Sequence, residues 1–530
     1  MEAMDHKSAR NEVPGRAAQM SRRRLMGIAG GGAAAAVLAG VPGYEQAWGT
    51  AALAGTGRLA GQVFAAGAGP SLAAVAPVQA FVTRPDLRPP AVTVTNYVTS
   101  PSSPPYVFLS VRNYLAAAQS QGGLMILDRL GRLVWFMPLA AAPFNFSAQS
   151  YQGRPVLTWW QGSLLYDYGT GTDEIADNTY ATRHTVKAGD GLAADLHDFV
   201  LTSRGTALIT AYQLVTANLS SAGGSAKGTV AAGHAQEIDI ATGKLLFDWD
   251  SLGPIAYSES YLPAPTSGVY DYFHINSVDE TPDGNLLISA RNTWAVYKVD
   301  RADGKLLWRM NGKQSDWKMA PGTSFYWQHD ARSIGPRSIS VFDDGYVTTD
   351  KPSQGLLLQL NTKAQQVTLS HAYRHSAGFI AGSQGNVQVL PNGHIFVGWG
   401  NQNYFSEFAA NGELVLDGQL PVGCHSYRAF CQEWSGQPTS PPDVVALANP
   451  PGGAVVYASW NGATAVARWA VLAGSLPSKL SQVGSQARTG FETSIAVDSD
   501  GPYFSIVAEN AAGKAIGRSG PVKLASPFSL

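Results

Sequence analysis

The feature that most constrains this chain is a recurring strand–turn–strand pattern. An apolar run meets a tight turn of Asp or Asn with a nearby Gly, and a second apolar run follows. Ile126-Leu127-Asp128-Arg129-Leu130-Gly131-Arg132-Leu133-Val134 is one copy. Ile238-Asp239-Ile240-Ala241-Thr242-Gly243-Lys244-Leu245 and Val299-Asp300-Arg301-Ala302-Asp303-Gly304-Lys305-Leu306 are two more. Weaker copies stand at 165–169, 360–363 and 408–415. Asp, Asn and Gly supply the turn chemistry of a hairpin. Later copies are preceded by an inner hairpin, with turns at Pro282-Asp283-Gly284-Asn285 and Pro391-Asn392-Gly393-His394. A unit is therefore four strands, and six units fit in about 106–425. Such units repeated in a ring are the blades of a β-propeller. Two unrelated β-sandwiches are the competing arrangement; the number of copies and their matched turns favour the propeller. The predicted fold is all-β, a six-bladed β-propeller over 106–440.

A proline-rich break at 438–442 ends the repeats. Short alternating strands over 443–526 predict a small C-terminal β-sandwich. It resembles a fibronectin type III domain, most clearly at 503–513, and it holds no histidine. Residues 51–105 read as a flexible, Ala/Gly-rich leader and an extended, proline-punctuated entry segment.

Residues 1–50 read as a targeting segment. Ser21-Arg22-Arg23-Arg24-Leu25-Met26 is a twin-arginine pattern, followed by a weakly apolar Gly/Ala run at 27–41. The expectation is export by the twin-arginine route to the envelope or outside. No cysteine follows the apolar run, so no lipid anchor is expected, and no stretch has a bilayer's apolar length. The two cysteines, Cys424 and Cys431, are close in sequence. In an exported protein they predict a local disulfide. With charged residues at 14% and a formal net charge of −1, nothing argues for nucleic acid as a partner.

The candidate chemistry follows from the repeat. His197, His274 and His329 each stand just before the innermost strand of a predicted unit. In a propeller, equivalent places on different blades face one axis. Arg291 closes the second strand of His274's unit, in Ser289-Ala290-Arg291. A cationic cluster in a channel suits an oxyanion. Three histidines could also bind zinc, but a fixed guanidinium beside a metal is repulsive, so no metal is expected. Asp195, Asp198 and Asp330 read as supporting or turn residues, with Asp330 a candidate to orient His329. Phe273, Tyr326 and Trp327 flank the histidines, either as core fillers or as the wall an aromatic substrate needs. His184, His234, His371, His375, His394 and His425 read as surface or turn residues.

Asp195-Leu196-His197-Asp198, Phe273-His274-Ile275-Asn276-Ser277, Ser289-Ala290-Arg291 and Trp327-Gln328-His329-Asp330-Ala331 resemble the bacterial arylsulfotransferase family, the type without a nucleotide sulfate donor. The resemblance spans roughly the propeller region. It implies a six-bladed propeller, no cofactor, an aryl sulfate donor and a phenolic acceptor. On the family's pattern His329 corresponds to the sulfated nucleophile, and Arg291 and His274 to the clamp on the sulfuryl oxygens. His197 is a further clamp or an acid/base group. The family's best-studied type carries its extra sandwich at the N-terminus, whereas here the predicted sandwich is C-terminal. Two other readings stay open: a non-catalytic propeller that binds an anionic or phenolic ligand or a protein partner, and a metal-dependent hydrolase.

Overall fold

A computed structural model describes residues 78–100, 102–114, 120–450 and 452–526. The twin-arginine segment expected at 1–50 and the leader at 51–77 lie outside the described residues. The described chain is all-β, with only three-residue 3-10 turns besides strands. Among the described residues no helix is long and apolar enough to cross a membrane.

The repeats form antiparallel four-strand groups. Strands Ile275–Glu280, Leu286–Ala290, Ala295–Val299 and Leu306–Asn311 make one sheet in simple sequence order. The first strands of six such groups touch in a cycle. Ala142–Tyr151 meets Ala194–Leu201, which meets Ile275–Glu280, then His329–Gly335, Asn386–Val389 and Cys424–Gln432, which returns to Ala142–Tyr151. The arrangement is propeller-like. The last of these strands is joined by a strand from the start of the described chain: Tyr106–Asn113 pairs with Cys424–Gln432, Val107 facing Cys431 and Arg112 facing His425. The chain therefore closes on itself through backbone hydrogen bonds, which leaves no open edge there.

Side chains tie neighbouring first strands together. Asn145 Nδ2 donates to Leu196 O (2.7 Å), Asn276 Nδ2 to Gln328 O (2.7 Å) and Asn386 Nδ2 to Ala429 O (2.8 Å). Asp198 accepts from the backbone N–H of Val278 and Asp330 from that of Val387. Around them lies a buried ion network. Asp198 pairs with Arg332 (2.8 Å) and Arg428 (2.7 Å), and Asp330 with Arg332 (2.7 Å) and Arg428 (3.3 Å). Asp330, expected as an orienting partner of His329, is committed to these arginines. Burial would push the Asp198 carboxyl up, but the two guanidinium groups hold it below its ordinary range.

The outer turns have the expected chemistry. Gly243 N donates to Asp239 O and Gly304 N to Asp300 O, with both glycines at positive φ (70° and 73°), where a Cβ is disfavoured. The copy at 165–169 differs. Its turn, Tyr166-Asp167, links the second and third strands of its group, Arg154–Leu165 and Tyr168–Ala176, whereas the other turns link the third and fourth. The turn thus sits at the opposite end of its sheet and brings Asp167 and Tyr168 toward the histidines. The entry segment is also more ordered than expected. Thr93–Tyr97 pairs with Leu414–Gln419, and Leu87 is buried in a core cluster with Phe396 and Phe491.

The C-terminal part has two antiparallel sheets. Asp443–Ala448, Ala454–Ser459 and Glu492–Val497 form one; Arg468–Leu476, Lys479–Ala487, Tyr503–Glu509, Ala515–Arg518 and Val522–Lys523 form the other. Trp469, Val471, Ile495, Phe504 and Ile506 fill the space between them. Asn461 exchanges two hydrogen bonds with the backbone of Phe136, which fastens this part to an outer strand of the ring.

The expected disulfide is absent. Cys424 and Cys431 are both free and buried, at opposite ends of the one strand Cys424–Gln432. At ~3.3 Å per residue an extended strand holds residues seven apart far beyond disulfide reach.

Candidate active site

Three of the four predicted residues come from different sheets and meet, although only His274 precedes its strand: His197 lies within Ala194–Leu201 and His329 begins His329–Gly335. The rings of His197 and His274 are 4.8 Å apart and those of His274 and His329 6.5 Å. Arg291 is the cross-strand neighbour of His274, its N–H donating to His274 O (2.9 Å). All four are deeply buried, at 3%, 1%, 1% and 4% exposure for His197, His274, His329 and Arg291. Charges here act in a water-poor setting, where they carry further than at a surface.

Each histidine has its own carboxylate. His197 Nδ1 donates to Asp195 Oδ2 (2.6 Å), His329 Nδ1 to Asp344 Oδ2 (2.6 Å), and His274 Nδ1 to Asp271 Oδ2. A carboxylate on Nδ1 fixes the tautomer and turns the Nε2 lone pair to the far side of the ring. At His329 that lone pair is explicitly used, because the backbone N–H of Gln384 donates to Nε2 (3.2 Å). The backbone is bent to reach these positions. His274, Trp327, Asp330 and Gln384 all have positive φ, between 53° and 73°, which non-glycine residues rarely adopt.

Burial, then the charges of His197 and Arg291, drives the His274 imidazole well below its ordinary range. For His329 the cause is burial, then Arg291. Both rings are therefore neutral. Burial pushes the Asp344 carboxyl well up, and lifts Asp271 to about 7. Asp195 differs: despite burial, His197 and the N–H groups of Gly169 and His197 hold it below the usual carboxylate range. Asp167, on the displaced turn, rises to about 7 through burial and the nearby Asp271.

Arg291 lies over the Trp327 ring (4.7 Å) and donates to Gly382 O (2.9 Å) and Asn292 Oδ1 (3.2 Å). Trp327 belongs to a partly exposed aromatic group. Trp294 packs edge-on against Tyr326, Trp327 and Tyr346 at 5.0, 5.1 and 5.3 Å, and Tyr261 stacks on it at 3.5 Å. Trp327 thus lies against Arg291, and Tyr326 joins it through Trp294. Phe273 does not. It is fully buried in the core against Trp249 and Tyr297, because the turn at His274 sends the two consecutive side chains in opposite directions.

Sequence reasoning missed Asp271, Asp344, Gln384 and Tyr427. Tyr427 stands between His197 (5.9 Å) and His329 (6.4 Å), and its hydroxyl has no hydrogen-bond partner among the described residues. Asp271 had a local signal, three residues before His274, whereas Asp344 lies fifteen residues beyond His329, across a hairpin. His425, read as a surface or turn residue, is buried beside Arg112 at 3.0 Å. Among the described residues no group of three or more His, Cys, Asp or Glu is placed to hold a metal ion. A surface cavity lined by Asp283, Trp308, Trp317 and Arg337 shares no residue with this cluster.

A model of the arylsulfotransferase (ASST) family matches residues 147–420, just over half of the chain, and spans all four predicted site residues. The chain belongs to the arylsulfotransferase family. No curated protein sequence matches this arylsulfotransferase-family chain significantly. Solved structures resemble it only distantly. A protein of unknown function from Bacteroides caccae is 12% identical, covering 62% of this chain and 98% of its own, with a TM-score of 0.37. The β-propeller domain of Cps50 (Swd1) from Myceliophteria thermophila is 12% identical, covering 70% and 97%, with a TM-score of 0.33. A catalytically inactive virginiamycin B lyase from Staphylococcus aureus, solved with quinupristin, is 8% identical, covering 69% and 95%, also at 0.33.

Proposed function

We propose that this arylsulfotransferase-family protein moves a sulfuryl group from an aryl sulfate to a phenol, carrying it on His329. The observation behind this reading is the His329 dyad: a buried neutral ring, Nδ1 on Asp344 and an Nε2 lone pair facing a backbone N–H. An imidazole held this way is a nucleophile without prior deprotonation.

In the first half-reaction Nε2 attacks sulfur and the S–O bond to the aryl oxygen breaks. The phenolate leaves with the electron pair, and the ring, now N-sulfated, takes on positive charge beside Asp344. The Gln384 N–H, released from Nε2, can turn to a sulfuryl oxygen. Arg291 would hold sulfuryl oxygens in its planar fork, with His274 as a neutral partner. His197 would give a proton to the departing phenolate and regain it from the incoming phenol, its charge balanced by Asp195. In the second half-reaction the phenol oxygen attacks sulfur and the N–S bond breaks, restoring neutral His329. Trp327 and Tyr326, with Trp294, would offer the aromatic wall for the aryl group. No cofactor or nucleotide enters either half.

The cyclic contact of six first strands supports a six-bladed propeller over 106–440, preceded by the entry segment of 51–105. The strand order of the two C-terminal sheets supports a fibronectin type III-like sandwich over 443–526. Export through the twin-arginine segment of 1–50 belongs to the same reading. Replacing Arg22 and Arg23 with Lys should leave the protein in the cytoplasm, and unchanged export would overturn that assignment.

The deciding experiment is intact mass after mixing with 4-nitrophenyl sulfate, with nitrophenol release followed in parallel. Wild type should gain one sulfuryl group and lose it when a phenol is added. His329→Ala should do neither. Arg291→Ala should slow sulfation by roughly 10²–10³, the usual effect of losing one oxyanion donor. Release of nitrophenol without a gain in mass would remove His329 as the carrier. Absence of release across several aryl sulfates would leave a ligand-binding propeller.

A further inference from the structure

The ring carries a second His–Arg pair in the same place as the first. In the sheet of Ile275–Glu280, His274 and Arg291 face each other across the first two strands. In the closing sheet, His425 and Arg112 face each other across its first two strands. Arg112 Nη2 lies 3.0 Å from His425 Nε2. Burial, then Arg112, keeps His425 well below its ordinary range, so the neutral ring accepts from the guanidinium.

Arg112 is 9% exposed and makes no ion pair among the described residues. Other buried arginines differ: Arg129 has Glu407 at 2.6 Å and Arg428 has Asp198 at 2.7 Å. Arg112 Nε has no partner at all among the described residues. A guanidinium withdrawn from water without a counter-charge is costly. Besides the neutral acceptors His425 and Gln384, the faces of Phe144 (4.0 Å) and Tyr114 (5.0 Å) cushion it. Tyr114 in turn stacks on His425 at 3.8 Å and is 43% exposed, which places this pair next to solvent.

One residue connects the pair to the proposed nucleophile. Gln384 accepts from Arg112 Nη2 through Oε1 (3.3 Å) and donates its N–H to His329 Nε2 (3.2 Å). We infer that Arg112 and His425 form a second anion-binding half-site, which holds a carboxylate or sulfonate on the phenol whose hydroxyl stands at His329. The inference rests on the sulfuryl-transfer reading for its substrate. Tyr114 gives that phenol apolar surface, and Arg112 supplies the counter-charge to its anionic substituent.

The test compares 4-hydroxybenzoate with its neutral isostere 4-hydroxybenzamide as acceptors of the sulfuryl group from 4-nitrophenyl sulfate. The wild type should prefer the acid in kcat/KM. Arg112→Gln should lower the acid-to-amide ratio by about tenfold or more, the usual worth of a charged hydrogen bond. Arg112→Lys should keep part of the preference, since it keeps the charge but not the fork. A purely structural role would depress both acceptors together and leave the ratio unchanged, which would overturn the inference. If Arg112→Gln does not fold, Arg112→Lys carries the comparison. If the wild type transfers no sulfuryl group, the function proposed above has failed, and the half-site is judged by binding alone. Tryptophan fluorescence titrations should then show the acid bound more tightly than the amide by wild type and equally by Arg112→Gln. A wild type indifferent to the charge in both assays refutes it.

Discussion

Asp344→Asn probes the dyad on which the proposed chemistry depends. Asp344 Oδ2 is 2.6 Å from His329 Nδ1, and Gln384 N is 3.2 Å from Nε2. Asparagine can face Nδ1 in two ways. With its NH₂ toward the ring, the ring proton moves to Nε2, where it meets the Gln384 N–H and removes the nucleophilic lone pair. With its carbonyl toward the ring, the tautomer survives but the negative charge is gone. A charge pair ~4 Å apart is worth about 4 kcal/mol at an effective dielectric constant of about 20, or about three powers of ten in rate. The charge matters mainly after attack, when the ring facing the carboxylate changes from neutral to positive. The expected loss in the sulfation step is therefore roughly 10³–10⁴, the size seen when a triad carboxylate becomes an amide. Rapid-quench measurement of the 4-nitrophenol burst, with intact mass on the same samples, reads this step directly. The thermal midpoint of the variant shows whether it is folded. A folded Asp344→Asn protein whose burst stays within tenfold of wild type would refute the dyad argument.

Three further outcomes are expected. Asp198→Asn should cost about 3 kcal/mol of stability, the low end for breaking a buried ion pair, because Asp330 remains as a carboxylate partner of Arg332 and Arg428; chemical denaturation measures it. Asp167 has a folded pKa of about 7, above the ~3.9 of an unfolded aspartate, so the native state holds a proton that the unfolded state has lost. Its presence thus costs stability progressively as pH rises from about 4 to 7 and by a constant amount above. The thermal midpoint of Asp167→Asn minus that of wild type should grow across this window and then level off; a difference independent of pH would contradict the assignment. Finally, Cys424 and Cys431 should both alkylate once the protein is denatured without reductant, and reductant should leave the thermal midpoint unchanged.

The sequence alone determined the β-rich repeat and three histidines with one arginine at its equivalent places. Local chemistry is enough for this, since turn residues and strand alternation act over a few neighbours. It also carried the family, through short runs around those residues. It could not tell Phe273 from a substrate contact. That depends on the positive φ at His274, which parts two adjacent side chains. It misjudged the cysteines, because a short spacing reads as a loop until pairing with Tyr106–Asn113 shows an extended strand. Asp344 escaped notice since only the hairpin after His329 brings it back to that ring, and Asp330, the nearer carboxylate, is drawn to Arg332 and Arg428. Arg112 and His425 are more than 300 residues apart in the chain and meet only where the ring closes. Which residues can carry charge is written locally; which charges face each other is decided by closure of the sheets, through contacts no local pattern records.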